Sequence, residues 1–201
     1  MLNIGPVTLE GKTVLLRPPS SDDLNELILS ASDGELFNNS FSLFPSINEM
    51  HGIWKKLLKS SNLSLPFIII HKPSKAIVGS TRFFNIDHKN YRLEIGHTWL
   101  AKSYRRTAIN TEAKYLMLEY AFEHLNCIAV EIRTDVLNTI SRNAIERLGA
   151  KKDGVLRYHK IIKEGRIRNT VCYSIIQPEW PKIKDNLLHK MLYYENDYNK
   201  I

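Results

Sequence analysis

The sequence predicts an α+β fold: a mixed, mostly antiparallel sheet with one parallel strand pair, flanked by helices. Three observations predict it. In the first half, strand-like segments follow one another across short turns, as antiparallel hairpins do. The strand at 91–100 then runs through a basic turn into an amphipathic helix and on to a second strand at 128–134, and such a crossover makes the two strands parallel. Last, two strands at 155–162 and 168–176 flank the turn Lys163-Glu164-Gly165-Arg166. A dinucleotide-binding fold would need repeated β-α-β units and a glycine-rich first turn, and the chain has neither.

Taken in order, Thr13-Val14-Leu15-Leu16-Arg17 reads as the first strand, stopped by Pro18-Pro19. Ser20 and Asp23 have capping-box spacing and open a short helix through Leu24, Leu27 and Ile28. Residues 32–45 are irregular and carry Phe37, Phe41 and Phe44. Ser46 and Glu49 repeat the capping spacing before a helix at 47–60, with Ile47, Met50, Trp54, Leu57 and Leu58 near one face. Pro66 to Ile70 and Ala76 to Phe83 form a hairpin about the turn 72–75. After a turn at 87–90, Leu93, Ile95, His97 and Trp99 alternate with Glu94, Gly96, Thr98 and Leu100. The next helix spaces Ala113, Leu116, Met117, Tyr120 and Ala121 along one face. The helix after Asn138 is expected to turn Ile140, Ala144, Ile145 and Leu148 inward and to stop at Gly149. Residues 1–180 read as one domain, and 181–201 as a polar, amphipathic tail, helical or flexible.

Composition narrows the classes. The 201 residues contain no apolar run of about 18, so no membrane-spanning helix is expected, and the start does not read as a signal peptide. Cys127 and Cys172 sit among apolar residues outside any CxxC pair, which reads as two reduced, buried thiols in a cytoplasmic protein; no metal set is expected. With 28 basic and 21 acidic residues the formal charge is +7, which favours an anionic partner such as nucleic acid or a cofactor bearing several phosphates. The segment Ser103-Tyr104-Arg105-Arg106-Thr107-Ala108-Ile109-Asn110-Thr111 joins strand to helix, where free N–H groups and the positive end of the helix dipole attract phosphate.

Four segments in order resemble the GNAT superfamily of acyl-CoA-dependent N-acyltransferases, in particular its ribosomal-protein-alanine acetyltransferase branch: Leu9 to Pro18, Leu93 to Leu100, Arg105 to Asn110, and Asn138-Thr139-Ile140-Ser141 with Glu146 to Ala150. The resemblance covers about residues 9–180. It implies the GNAT fold, with the central strand splayed from its parallel neighbour, acetyl-CoA as cosubstrate, and a primary amine that attacks the thioester directly in a ternary complex. Where the family's loop pattern has two glycines, this chain has Ala108 and Asn110. Glycine would permit positive φ and close approach to a pyrophosphate; Asn tolerates left-handed geometry and alanine is small.

The same resemblance assigns roles. Glu94 is the candidate base; its alternative reading is a solvated or salt-bridged strand carboxylate. His97 is a second candidate base by its ordinary pKa, although its alternation with Ile95 and Trp99 reads as structural. The oxyanion is expected near the Leu100 N–H, beside Trp99. Arg105 and Arg106 would flank the pyrophosphate, Thr107, Ala108, Ile109, Asn110 and Thr111 would supply backbone donors, and Arg147 would join the cofactor set. Asn138 would bond the pantetheine amides, or cap its helix. Many relatives protonate the thiolate from a helix Tyr; Ile145 stands at that position, and Ser141 is the candidate substitute, with local backbone bonding as its other reading. Two rivals remain: a non-catalytic acyl-CoA-binding regulatory module and a basic nucleic-acid-binding domain. The acceptor could be a protein N-terminus, an amino acid or another small amine, and a homodimer is compatible with the superfamily.

Overall fold

A computed structural model describes residues 1–34, 54, 61, 63–162 and 165–198, without the side chains of 193–198. Its eight strands are β1 (Leu9–Glu10), β2 (Val14–Arg17), β3 (Ser64–His71), β4 (Ala76–Asp87), β5 (Arg92–Leu100), β6 (Ala129–Asp135), β7 (Lys151–Ile161) and β8 (Ile167–Ile176). They form one sheet in the order β1-β2-β3-β4-β5-β6-β8-β7. Only β5 and β6 pair in parallel, and every other neighbour is antiparallel. The longer helices are α1 (Leu24–Ser32), α2 (Ile109–Glu119), α3 (Thr139–Arg147) and α4 (Trp180–Tyr198). The expected α+β class and its single parallel step are therefore present.

Local chemistry explains the element ends. The capping box forms at Ser20, whose N–H donates to Asp23 Oδ2 at 2.6 Å while its hydroxyl accepts from the Asp22 N–H. Asp23 also takes both guanidinium nitrogens of Arg17 at 2.7 and 2.8 Å, tying α1 to β2. Gly149 ends α3 at φ +99°, the left-handed stop expected of it. Other expectations shift. The two-residue β1 carried no sequence signal, and β7 starts at Lys151 rather than 155 because its polar first residues show no alternation. Ile140, expected inward, is 84 % exposed, since α3 turns only Ile145 and Leu148 into the core. The irregular stretch at 32–45 and the helix at 47–60 lie outside the described residues, apart from 32–34 and Trp54.

The sheet has two covered faces. On one, Phe67, Phe83, Leu93, Ile95 and Leu100 pack with Met117 of α2, Ile145 of α3 and Ile183 of α4. On the other, α1 places Leu27 with Trp54, Ile68 and Ile77, and Trp99 packs against them. Trp99 therefore faces away from Leu93 and Ile95, against the alternation read from the sequence. A β-bulge explains the switch: Ser80 pairs with Trp99 but Arg82 pairs with Gly96, so Thr81 opposes both His97 and Thr98. His97 takes the left-handed conformation, φ +50°, that accommodates the extra residue.

Candidate functional site

The site begins where β5 and β6 part. Their pairing runs from Arg92↔Ala129 to Glu94↔Glu131 and stops, although β5 continues to Leu100 and β6 to Asp135. Beyond Glu94 the central strand thus borders a gap, and His97 and Thr98 are exposed there. The Ala101 N–H donates to the Val78 carbonyl at 2.8 Å. Polar groups alternate direction along an antiparallel ladder, so the Leu100 N–H points away from β4, towards the gap. The Leu100 carbonyl points the same way and accepts from Arg105 Nε at 3.0 Å.

The basic turn closes the top of this gap. Arg106 takes φ +61°, so the left-handed residue of the loop is an arginine. Ala108 is right-handed helical at φ −64°, and Asn110 lies inside α2. Neither position asks for positive φ, and alanine and asparagine meet the local geometry without strain. Thr107 Oγ1 donates to the Tyr104 carbonyl at 2.8 Å and accepts from the Ile109 N–H at 3.3 Å. Among the described residues the N–H groups of Arg106, Thr107, Ala108, Asn110 and Thr111 have no acceptor, as expected where a helix begins. The side chains of Arg105 and Arg106 are exposed. Five free donors, two guanidinium groups and a helix dipole make an anion cradle.

Glu94 lies on the face opposite Leu93 and Ile95 and is 5 % exposed. It accepts from Asn85 Nδ2 at 2.9 Å and stands 3.6 Å from Arg133 Nε. Burial raises its pKa above the ordinary carboxylate value, against the lowering pull of Asn85 and Arg133. His97, which alternation would have put with Ile95, belongs instead to the Glu94 face: its ring meets Phe84 edge-on at 5.0 Å, and Phe84 is the cross-strand partner of Glu94. Although His97 retains exposed surface, burial of its ring, with Arg82, Lys160 and Arg168 nearby, pushes its pKa down to about 4.

At α3, Asn138 Oδ1 accepts from the Ser141 N–H at 3.0 Å, so its carbonyl oxygen is committed to capping. The Ser141 hydroxyl is half-buried and without a protein partner among the described residues. Arg147 is exposed at the far end of α3, where its carbonyl accepts from Lys190 Nζ of α4. Cys127 is fully buried and its thiol is pushed up to about 12 by that burial; Cys172 is half-buried and also raised, so neither is a ready thiolate.

Sequence reasoning missed Asn85, Arg133, Arg82 and Lys114. Lys114 is the most unexpected: it is 5 % exposed beneath the bulge, and Nζ donates to Thr98 Oγ1 at 2.6 Å and Thr81 Oγ1 at 3.0 Å. Burial alone lowers its pKa to about 7. A signal existed, because Lys114 precedes Met117 by three residues and Ala121 by seven, which sets it in the apolar stripe. Arg82 and Arg133 could not be seen without knowing which strands are neighbours.

The acetyltransferase (GNAT) domain model matches residues 13–151. The uncharacterized N-acetyltransferase p20 of Bacillus licheniformis is 30 % identical over 114 residues, 57 % of this chain and 63 % of that protein. YdaF of Bacillus subtilis (strain 168), whose name proposes ribosomal N-acetyl transfer for it, is 33 % identical over 105 residues, 52 % of this chain and 56 % of that one. The chain thus spans less than two thirds of either relative. The crystal structure of a GCN5-related N-acetyltransferase from Brucella melitensis superposes with a TM-score of 0.84 at 29 % identity, covering 92 % of this chain and 86 % of that one.

Proposed function

Because the chain belongs to the GNAT acetyltransferase family, we propose that it transfers the acetyl group of acetyl-CoA to a primary amine by direct attack in a ternary complex. The observation that carries this reading is the parting of β5 from β6 beyond Glu94↔Glu131, with the anion cradle at its mouth and a buried carboxylate on the face beside it.

Each step draws on residues already located. The free N–H groups from Arg106 to Thr111 hold the pyrophosphate, with Arg105 and Arg106 beside it. The acyl arm then lies in the gap along β5. Asn138 keeps its amide NH2 for the pantetheine, since its oxygen is already used at the cap. Glu94 removes the proton from the ammonium. With so little of its surface exposed, it acts through one water. Of the two candidate bases we favour Glu94, whose basicity burial raises, over His97, whose burial and cationic neighbours lower its pKa to about 4. As the amine adds to the thioester carbon, the developing oxyanion meets the Leu100 N–H, a donor already oriented. The carbon–sulfur bond then breaks and Ser141 passes a proton to the thiolate.

Titration calorimetry with acetyl-CoA, followed by an acetylation screen over primary amines, tests the reading. Binding with turnover is the expected result. Binding without turnover on any amine would leave a regulatory acyl-CoA-binding module, and no binding at all would end the proposal.

A further inference from the structure

We propose that the acceptor is an amine that also carries a carboxylate, which Arg82, Lys160 and Arg168 hold while Glu94 serves the amine. This rests on the acetyl-transfer reading and adds the substrate class to it. The starting point is a set of cations outside close ion pairs, although Glu94 acts electrostatically on Lys160 and Arg168, and Asp135 on Arg168. Arg17, Arg92, Arg133 and Arg166 each have a carboxylate oxygen at 2.6–2.7 Å. Arg82, Lys160 and Arg168 have none among the described residues. Arg82 is half-buried, and its Nε is buried with no hydrogen-bond partner, a costly state for a guanidinium. Arg168 spends only its Nε, on Thr170 Oγ1.

The arrangement is also self-repelling. Lys160 and Arg168 are direct cross-strand partners of β7 and β8, where like charges are unfavourable. Arg82, Lys160 and Arg168 each raise the positive potential at His97, so all three lie within electrostatic reach of that ring. A bound anion relieves the repulsion and completes the Arg82 fork at once. A polycationic acceptor would meet the same field as a penalty.

Register sets the spacing. Arg82 is opposite Gly96 and Glu94 is opposite Phe84, so Arg82 and Glu94 are diagonal neighbours on one face, about 7–8 Å apart at the backbone. The space over Gly96, across the ladder from Arg82, is taken by the Phe84 ring, which a Cβ there would meet at 2.7 Å. Two long side chains leaning into one space suit an ammonium and a carboxylate a few bonds apart. That chemistry has two sources: a free amino acid, or an acidic first residue of a peptide.

Both sources can be tested with matched pairs: alanine against alaninamide, and a peptide beginning with Asp against the same peptide beginning with Asn. Acetylation kinetics should favour the carboxylate member of one pair by about tenfold or more, mostly through KM, because a hydrogen-bonded charge pair is at stake. Arg82→Met should bring that ratio close to one, Arg82→Lys should restore part of it, and the surface change Lys160→Gln should reduce it. A second readout needs no turnover. In NMR titrations, the carboxylate probe should raise the His97 pKa and the matched amide should not. Equal rates within both pairs, or a ratio unchanged in Arg82→Met, would overturn the proposal, as would a His97 titration indifferent to all four probes. If no amine is acetylated yet His97 still responds to the carboxylate, the transferase reading falls and the anion site stands.

Discussion

At the scale of single residues, two buried ionisable groups make opposite demands. In the proposed chemistry Glu94 is the base, and burial raises its pKa in the direction that role requires. Glu94→Gln keeps the hydrogen-bonding shape and removes the proton acceptor, so kcat/KM should fall about a hundredfold or more, with the acid limb of its pH profile lost. A variant with the wild-type profile would exclude Glu94 as the base. Lys114 has no such task in the proposed chemistry. Its pKa is about 7 folded against an ordinary 10.5, so across that window the folded protein binds fewer protons than the unfolded chain. Stability should therefore rise with pH between about 7 and 10.5, and the burial cost is fully present below about 7. Lys114→Met should stabilise the protein at neutral pH by about 1 kcal/mol or more and flatten that slope, as read by urea unfolding at several pH values. An unfolding free energy unchanged at pH 7 would mean that the Thr81 and Thr98 hydroxyls already offset the burial.

At the scale of elements, the β5 site depends on how closely β4 can approach. Gly79 pairs with Leu100, and a Cβ on Gly79 would lie 2.2 Å from the Trp99 carbonyl oxygen. Backbone would have to move, shifting the Leu100 N–H. Gly79→Ala should cost about 1–3 kcal/mol and lower kcat more than it raises the Kd for acetyl-CoA; full activity at wild-type stability would contradict the oxyanion assignment. The turn before α2 gives the converse case. Since Asn110 is already helical, Asn110→Gly should lower stability by a few tenths to ~1 kcal/mol, measured by thermal unfolding, without tightening acetyl-CoA binding. Elements of this kind were legible in the sequence when their own residues decided them: the capping box at Ser20, the hairpin strands, the stop at Gly149. The faces of β5 were not, because the bulge is set by pairing with β4 and nothing between Leu93 and Leu100 announces it. Counting by twos put His97 and Trp99 with Ile95, and the register put both with Glu94.

At the scale of the whole molecule, the carboxyl-terminal helix is tied into the same core that positions the site. Trp180, Ile183 and Leu187 are buried, Trp180 Nε1 donates to Glu123 Oε1 at 2.8 Å, and Lys184 reaches Glu119 and Glu123. Burial of three such side chains is worth about 5–8 kcal/mol, which is most of the stability of a typical domain. Truncation before Trp180 should therefore yield protein that is insoluble or lacks a cooperative melt, seen by circular dichroism. A truncated chain that melts near the wild-type temperature would show 181–201 to be a dispensable tail.

The bulge opposite Thr81 has one further consequence. It makes β5 two short reading frames joined out of phase. Up to Gly96, odd-numbered residues point to the α2 side of the sheet; from Thr98 on, even-numbered ones do. Removing either His97 or Thr98 would leave a single residue opposite Thr81 and restore alternation by twos, with Leu93, Ile95 and Leu100 still on one face and Glu94 and Trp99 on the other. Point substitutions along this strand leave the bulge in place, whereas a single-residue deletion at it would merge the two frames into one regular strand and take away the left-handed residue that now sits beside the gap.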